Sequence, residues 1–192
     1  MILSRILEKA VRRSNAIDTE SLCIVAGSKC WSIRADIHVL DFDGALIDAS
    51  GIALLAALRH FRRPDVSVDG QEVTIYKLEE RVPVPLSILH HPICITFSIF
   101  HGGSAVLIDA TLREEQVREG EITITMNQHG EICQIAKLGG VPCDASSLLK
   151  CIQMAAVKVR DIDQFVSKKL EMSALQEDVG SLIAELVGEH ER

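Results

Sequence analysis

"WSIRADIHVLDFDGALIDASGIALLAALRHFRRP" (residues 31–64) decides the fold class. It begins by alternating. Trp31, Ile33, Ala35, Ile37 and Val39 face one way, and Ser32, Arg34, Asp36, His38 and Leu40 the other, which is the period of a half-buried strand. Gly44 then offers a tight turn. From about Asp48 to Phe61 the chain is apolar nearly all round and predicts a helix buried on most sides. Arg59, His60, Arg62 and Arg63 close it ahead of Pro64, where cations are favoured by the helix dipole and the last free carbonyls. A strand, a glycine turn and a helix in that order is where many enzymes hold a phosphate on backbone N–H groups. Whether this turn holds one separates an enzyme from an enzyme-shaped building block.

Upstream, residues 2–13 put Ile2, Leu3, Ile6, Leu7, Ala10 and Val11 on one helical face. Arg5, Lys9, Arg12 and Arg13 fall on the other, at i, i+4, i+7 and i+8. "LCIVAG" (22–27) and "KCWSIRADIHVLD" (29–41) predict a hairpin closed by Gly27 and Ser28. Downstream, Asp69-Gly70 marks a second hairpin within 62–76. "KLEERVPVPLS" (77–87), with two prolines and four charges, reads as a seam. Beyond it come "ICITFSIF" (93–100), "AVLIDA" (105–110), "EITITMN" (121–127) and "EICQIAKL" (131–138). These are short β-branched strands separated by Gly102-Gly103, a charged turn at 111–120, and His129-Gly130.

Asp144 is the expected N-cap of a long helix reaching about Leu170. Its apolar stripe is Leu148, Leu149, Ile152, Ala155, Ala156, Val159, Ile162, Val166 and Leu170. The expected organisation is α/β (α+β): a first half (1–76), a seam (77–86), a second half (87–171) and an acidic tail (172–192) with a short helix around "SLIAELV".

Apolar residues make up 47% and charged residues 24% of the 192, enough for a packed core. No apolar run approaches membrane-spanning length. The start has no small-residue cleavage site, and Glu8 and the lack of serine enrichment argue against a mitochondrial presequence. The six cysteines lie in or beside apolar segments without a C-x-x-C pair, so they are expected to be buried reduced thiols, with no metal. The net charge of −7 is uneven. Glu171, Glu177, Asp178, Glu185, Glu189 and Glu191 crowd the tail, while residues 1–63 hold nine Lys/Arg against seven Asp/Glu. Local anion binding is therefore open, but a whole-surface nucleic-acid footprint is not. Trp31 and Tyr76 are the only Trp and Tyr, too few for a base-stacking platform. His90-His91 lacks a partner nucleophile such as a G-x-S-x-G turn and reads as a loop before a strand.

The stretches 17–27 and 30–70, "VPVPLSILHHPICITFSIF" (82–100) and "LIDATLREE" (107–115) together resemble the RNase PH superfamily. Within it they resemble non-catalytic ring subunits of the eukaryotic RNA exosome, of the polymyositis/scleroderma autoantigen type. The likeness covers roughly residues 2–170 and implies the RNase PH-like (ribosomal protein S5 domain 2-like) fold. It also implies further family strands upstream of residue 1, so the chain is expected to be N-terminally incomplete, with a sheet edge and apolar face uncovered.

Active members grip inorganic phosphate with a Gly-Gly-Thr-Arg-Thr-like turn. The matching positions here read Gly44-Ala45-Leu46-Ile47-Asp48, with isoleucine in place of the arginine and an acid after it. Their Asp-x-Asp pair matches Arg118-Glu119-Gly120. An enzyme reading could still nominate Glu114, Glu115, Glu119 and Glu121 as acids or metal ligands; the bland reading is a solvated turn, with Asp109 a turn residue.

The resemblance thus implies a subunit without catalysis or cofactor, supporting 3′–5′ RNA degradation and rRNA processing. Its expected partners are other RNase PH-like ring subunits, RNA-binding cap subunits and single-stranded RNA. RNA would lie along Arg5, Lys9, Arg12 and Arg13, with no membrane involved. The implied location is nucleus, nucleolus and cytoplasm. The rival is a phosphorolytic 3′–5′ exoribonuclease. A third possibility is a chain that neither assembles nor binds RNA.

Overall fold

The computed structural model describes residues 2–70, 72–77 and 80–190, and of 177–190 the backbone. In chain order it runs α1 (Ile2–Glu8), β1 (Cys23–Val25), β2 (Lys29–Cys30), α2 (Leu46–His60) and β3 (Arg62–Arg63). Then follow β4 (Val66–Asp69), β5 (Glu72–Ile75), β6 (Val84–Pro85), β7 (Ile93–Phe100) and β8 (Ala105–Ile108). Last come α3 (Leu112–Val117), β9 (Gly120–Met126), β10 (Ile132–Ala136) and α4 (Ala145–His190). The mixed helix-and-sheet class is as expected.

The centre is an antiparallel sheet in the order β10-β9-β7-β8. In β7 every residue from Ile93 to Ile99 is buried, because β9 and β8 flank it and helices cover both faces. Ile93, Ile95, Phe97 and Ile99 meet Ile122, Ile124 and Met126 of β9 and Cys151, Ala155 and Val159 of α4. On the opposite face Cys94 packs against Ile6, Leu7 and Ala10, with Leu3, Ile47 and Leu54 at the margin. That second face is largely polar: Thr96, Ser98, Thr123 and Thr125 are all buried. The hydroxyls find one another, Thr96 Oγ1 lying 3.1 Å from Thr123 Oγ1. The period-2 alternation of "ICITFSIF" and "EITITM" therefore sorts apolar residues toward α4 and small polar ones toward α2.

Asp144 caps α4 as expected, accepting from the Ser146 hydroxyl and the Ser147 N–H. The buried stripe includes Cys151, Ala155, Val159 and Val166, whereas Leu149 is 60% exposed. Leu149 stands one 100° step off the seam that Leu148 and Ile152 share. The helix also passes Leu170 and continues to His190, replacing the tail with its short helix. No proline follows Pro142 to stop it.

Other expectations are corrected. Residues 31–43 form no strand: among the described residues only Trp31 and Asp43, at the two ends, make backbone hydrogen bonds to other segments, and an alternating segment without a ladder partner stays irregular. Ile33, Ile37, Val39, Leu40 and Phe42 are exposed in consequence. Beneath the segment lies a cleft of about 760 Å³ bordered by Leu7, Trp31, Ile33, Leu54 and Leu58. The first helix is α-helical only to Glu8 and then widens into a π-turn over Lys9–Arg13. The charged turn at 111–120 contains α3, whose start is a capping box: Glu114 accepts from the Thr111 N–H and hydroxyl at 2.8 Å each. Cys23 and Cys30 are exposed rather than buried, because they sit on a small two-stranded hairpin outside the central sheet.

The stripe geometry predicts that Val159→Ala costs about 2 kcal/mol of unfolding free energy, and Leu149→Ala less than about 0.5 kcal/mol. Urea denaturation followed by circular dichroism checks both.

Candidate functional site

The turn before α2 is where an anion would be held, so its geometry decides the chemistry. Gly44 has φ +98° and Ala45 φ +49°, which place two successive residues in left-handed backbone. At Gly44 a side chain is excluded outright, since a Cβ would stand 2.1 Å from the Ala110 carbonyl oxygen. The turn is thus pressed against the segment leading into α3, and the Leu112 N–H donates to the Asp43 carbonyl at 3.1 Å.

That closeness delivers an occupant. The Ala45 N–H donates to Glu115 Oε1 at 3.0 Å, so a carboxylate from α3 sits where a bound anion would accept the same hydrogen bond. Arg118 Nη1 lies 3.4 Å from Glu115 Oε1, and its other terminal nitrogen pairs with Glu121. Ile47, at the position matched to a phosphate-gripping arginine, packs inward against the Ile6–Leu7–Ala10–Cys94 cluster. At Gly120, matched to a catalytic acid, the backbone of 139–141 closes in: Gly140 bridges to it, and the Val141 N–H donates to the Glu119 carbonyl at 3.1 Å.

Asp48 has a different task from the one its charge suggests. Its two carboxylate oxygens accept from the Thr96 N–H at 2.7 Å and the Thr96 hydroxyl at 2.6 Å, seating α2 on β7. Burial pushes its pKa from 3.8 to about 6, outweighing the Thr96 hydrogen bonds, which act to lower it. The nearby Asp109 and Glu115 charges add to the rise. Asp109 itself has φ +57°, in keeping with a turn residue.

The remaining acids are similarly engaged. Glu114 caps α3, and Glu119 accepts from the Gly102 N–H at 2.6 Å. Among the described residues no group of three metal-ligating side chains converges.

The basic residues split into two sets. Arg5, Arg12 and Arg13 are exposed and Lys9 is half-buried along α1 and the π-turn. Arg12 also reaches Glu8 at 3.2 Å. At the end of α2, by contrast, Arg62 donates to the carbonyls of Arg59, His60 and Phe61, a C-terminal cap as expected. Arg59 and His91 converge on Asp163 of α4 at 3.6 and 2.7 Å, and His90 Nε2 lies 2.8 Å from the Ser14 carbonyl oxygen. Both histidines are therefore structural pins.

Comparison with known proteins matches residues 1–64 to domain 1 and residues 90–158 to domain 2 of the 3′ exoribonuclease family (RNase PH). The chain is 56% identical over 155 residues to the exosome complex component rrp45 of Schizosaccharomyces pombe, covering 81% of this chain and 53% of that one. It is 53% identical over 169 residues to RRP45 of Bos taurus, covering 88% of this chain and 38% of the other. RRP45 of Saccharomyces cerevisiae is 50% identical, with 55% of it covered. The chain thus spans only about 38–55% of the length of these relatives. Among solved structures it resembles an archaeal exosome core at TM-score 0.71 and 27% identity, over 86% of this chain and 62% of the other. An Archaeoglobus fulgidus exosome with RNA bound to the active site gives 0.68 and 27%, over 83% and 59%.

Two outcomes follow from the turn. Glu115→Ala strands the Ala45 N–H and lowers stability by about 1–2 kcal/mol in chemical denaturation. The raised Asp48 pKa means that its contribution to stability is whole below about pH 4 and is lost as pH rises through about 6. Asp48→Asn keeps an acceptor for the Thr96 N–H without that titration. Between pH 4 and 7.5 the natural chain should lose on the order of 3 kcal/mol more than this variant, read from paired urea midpoints.

Proposed function

We propose, from the fact that this chain belongs to the RNase PH family of 3′ exoribonucleases, that it is a non-catalytic structural subunit of an RNA exosome ring. One observation supports the loss of catalysis: the Ala45 N–H already bonds Glu115, while Ile47, at the arginine position, packs half-buried at the margin of the Ile6–Leu7–Ala10–Cys94 cluster. An apolar side chain offers no pairing to phosphate, and the Glu115 carboxylate at the turn repels it. Arg118 stands at the other matched catalytic position and is neutralised between Glu115 and Glu121.

In this reading the subunit's work is assembly and guidance. It pairs with other RNase PH-like ring subunits, with RNA-binding cap subunits above, in the nucleus, nucleolus and cytoplasm. Single-stranded RNA runs along Arg5, Lys9, Arg12 and Arg13, held by its phosphates without base reading. The exposure of Arg5, Arg12 and Arg13 on one short helical segment supports this, since each guanidinium can turn toward a passing backbone. Among the described residues no helix is long and apolar enough to cross a membrane.

The test is co-expression of the tagged chain with RNase PH-like ring subunits, followed by RNA titration of the recovered complex. A stoichiometric ring is expected, releasing no nucleoside diphosphate from RNA and inorganic phosphate. In that ring Arg5→Gln/Arg12→Gln should weaken RNA binding and flatten the slope of log affinity against log salt by about 1.4, about 0.7 per lost phosphate contact. Phosphate-dependent release of nucleoside diphosphates would favour an exoribonuclease instead. Recovery of the tagged chain alone would overturn the ring assignment.

A further inference from the structure

We propose that Cys23 and Cys30 form a paired thiol site, which a small-molecule disulfide such as oxidised glutathione closes reversibly into a Cys23–Cys30 disulfide. The two residues lie directly opposite each other on β1 and β2. Opposed residues of an antiparallel pair project to the same side of the ribbon. The Trp31 N–H donates to the Leu22 carbonyl at 2.8 Å, so the bond flanks the pair instead of joining it. Such a non-hydrogen-bonded pair has the closer backbones, with about 4.5 Å between Cα atoms. A disulfide accepts about 4.4–6.8 Å, so closure asks for side-chain rotation rather than backbone movement. The register irregularity falls on the turn side, between Cys23 and Val25, and leaves the Cys23–Cys30 opposition intact.

Access singles out the same two thiols. Cys23 and Cys30 are exposed, Cys94 and Cys151 are buried, and Cys133 and Cys143 are half-buried. Burial also pushes the Cys94 thiol up to about 11 and raises those of Cys133 and Cys151, which disfavours their thiolates. The chemistry is ordinary exchange. One hairpin thiolate attacks oxidised glutathione, forms a mixed disulfide and expels a glutathione thiolate. The second hairpin thiolate then attacks the protein sulfur of that mixed disulfide and expels the other glutathione. Two protein thiols lose two electrons and two protons, and oxidised glutathione becomes two molecules of reduced glutathione. The closed bond would staple the hairpin at the point where the irregular 31–43 segment leaves it.

The site is independent of the ring assignment and is tested on the full chain alone. The protein is equilibrated in glutathione buffers of stepped oxidised-to-reduced ratio, quenched in acid, alkylated under denaturing conditions and digested for mass spectrometry. A peptide pair linked through Cys23 and Cys30 is expected, with the other four of the six cysteines alkylated. Cys23→Ser and Cys30→Ser should each trap one glutathione on the remaining hairpin cysteine. The folded chain should close the bond at a ratio roughly tenfold lower than the urea-unfolded chain, because folding raises the effective concentration of one thiol at the other. Separate glutathione adducts on both residues, a different linked pair, unmodified hairpin thiols throughout, or equal closure in urea would each overturn the proposal.

Discussion

A carboxylate buried against a hydroxyl-lined sheet face is the constraint on which this structure turns. β7 must satisfy two different neighbours, an apolar helix on one side and, on the other, threonines and serines that need hydrogen-bond partners. Asp48 meets the second need by accepting from both the N–H and the hydroxyl of Thr96, and so fixes where α2 begins. With α2 seated there, Gly44 lies against the Ala110 carbonyl, where no side chain would fit. The Ala45 N–H then faces α3, whose Glu115 accepts its hydrogen bond. The turn is therefore a structural joint between α2 and the segment that carries α3.

Much of this architecture is legible in the residues. The strands β7 and β9 announce themselves by β-branched runs between glycine turns, and α4 by its N-cap and stripe, since burial on both sides leaves little freedom of composition. The alternation of 31–41 is just as regular, yet it forms no strand, because periodicity describes what a segment could pair with and not whether a partner is there. The extent of α4 escapes notice for the opposite reason. Its polar continuation lacks the stripe that marks a packed helix, though nothing in it interrupts helical hydrogen bonding.

The candidate site divides in the same manner. Ile47, Arg118 and Gly120 can be read position by position, since a substituted residue type is visible in one dimension. The Glu115 contact spans 70 residues and the Asp48 contact 48, and no local pattern signals either. Asp48 shows the limit most plainly: a sequence position that suggests repulsion of phosphate turns out to be a pin between helix and strand. The basic residues of α1 make a subtler case. Their alternation with the apolar face survives a change from α to π geometry, because the buried Ile6, Leu7 and Ala10 anchor the inner side whatever the pitch outside.

The Glu115 contact has one more consequence. An enzyme's anion hole exchanges its occupant with solution, so its order rises and falls with the concentration of the free ion. Here the anion is covalently part of the chain, and folding presents it to the Ala45 N–H at an effective concentration on the order of millimolar or above. The turn is consequently held in its closed form whatever phosphate surrounds it. The order of this turn comes from the fold and not from a free ion.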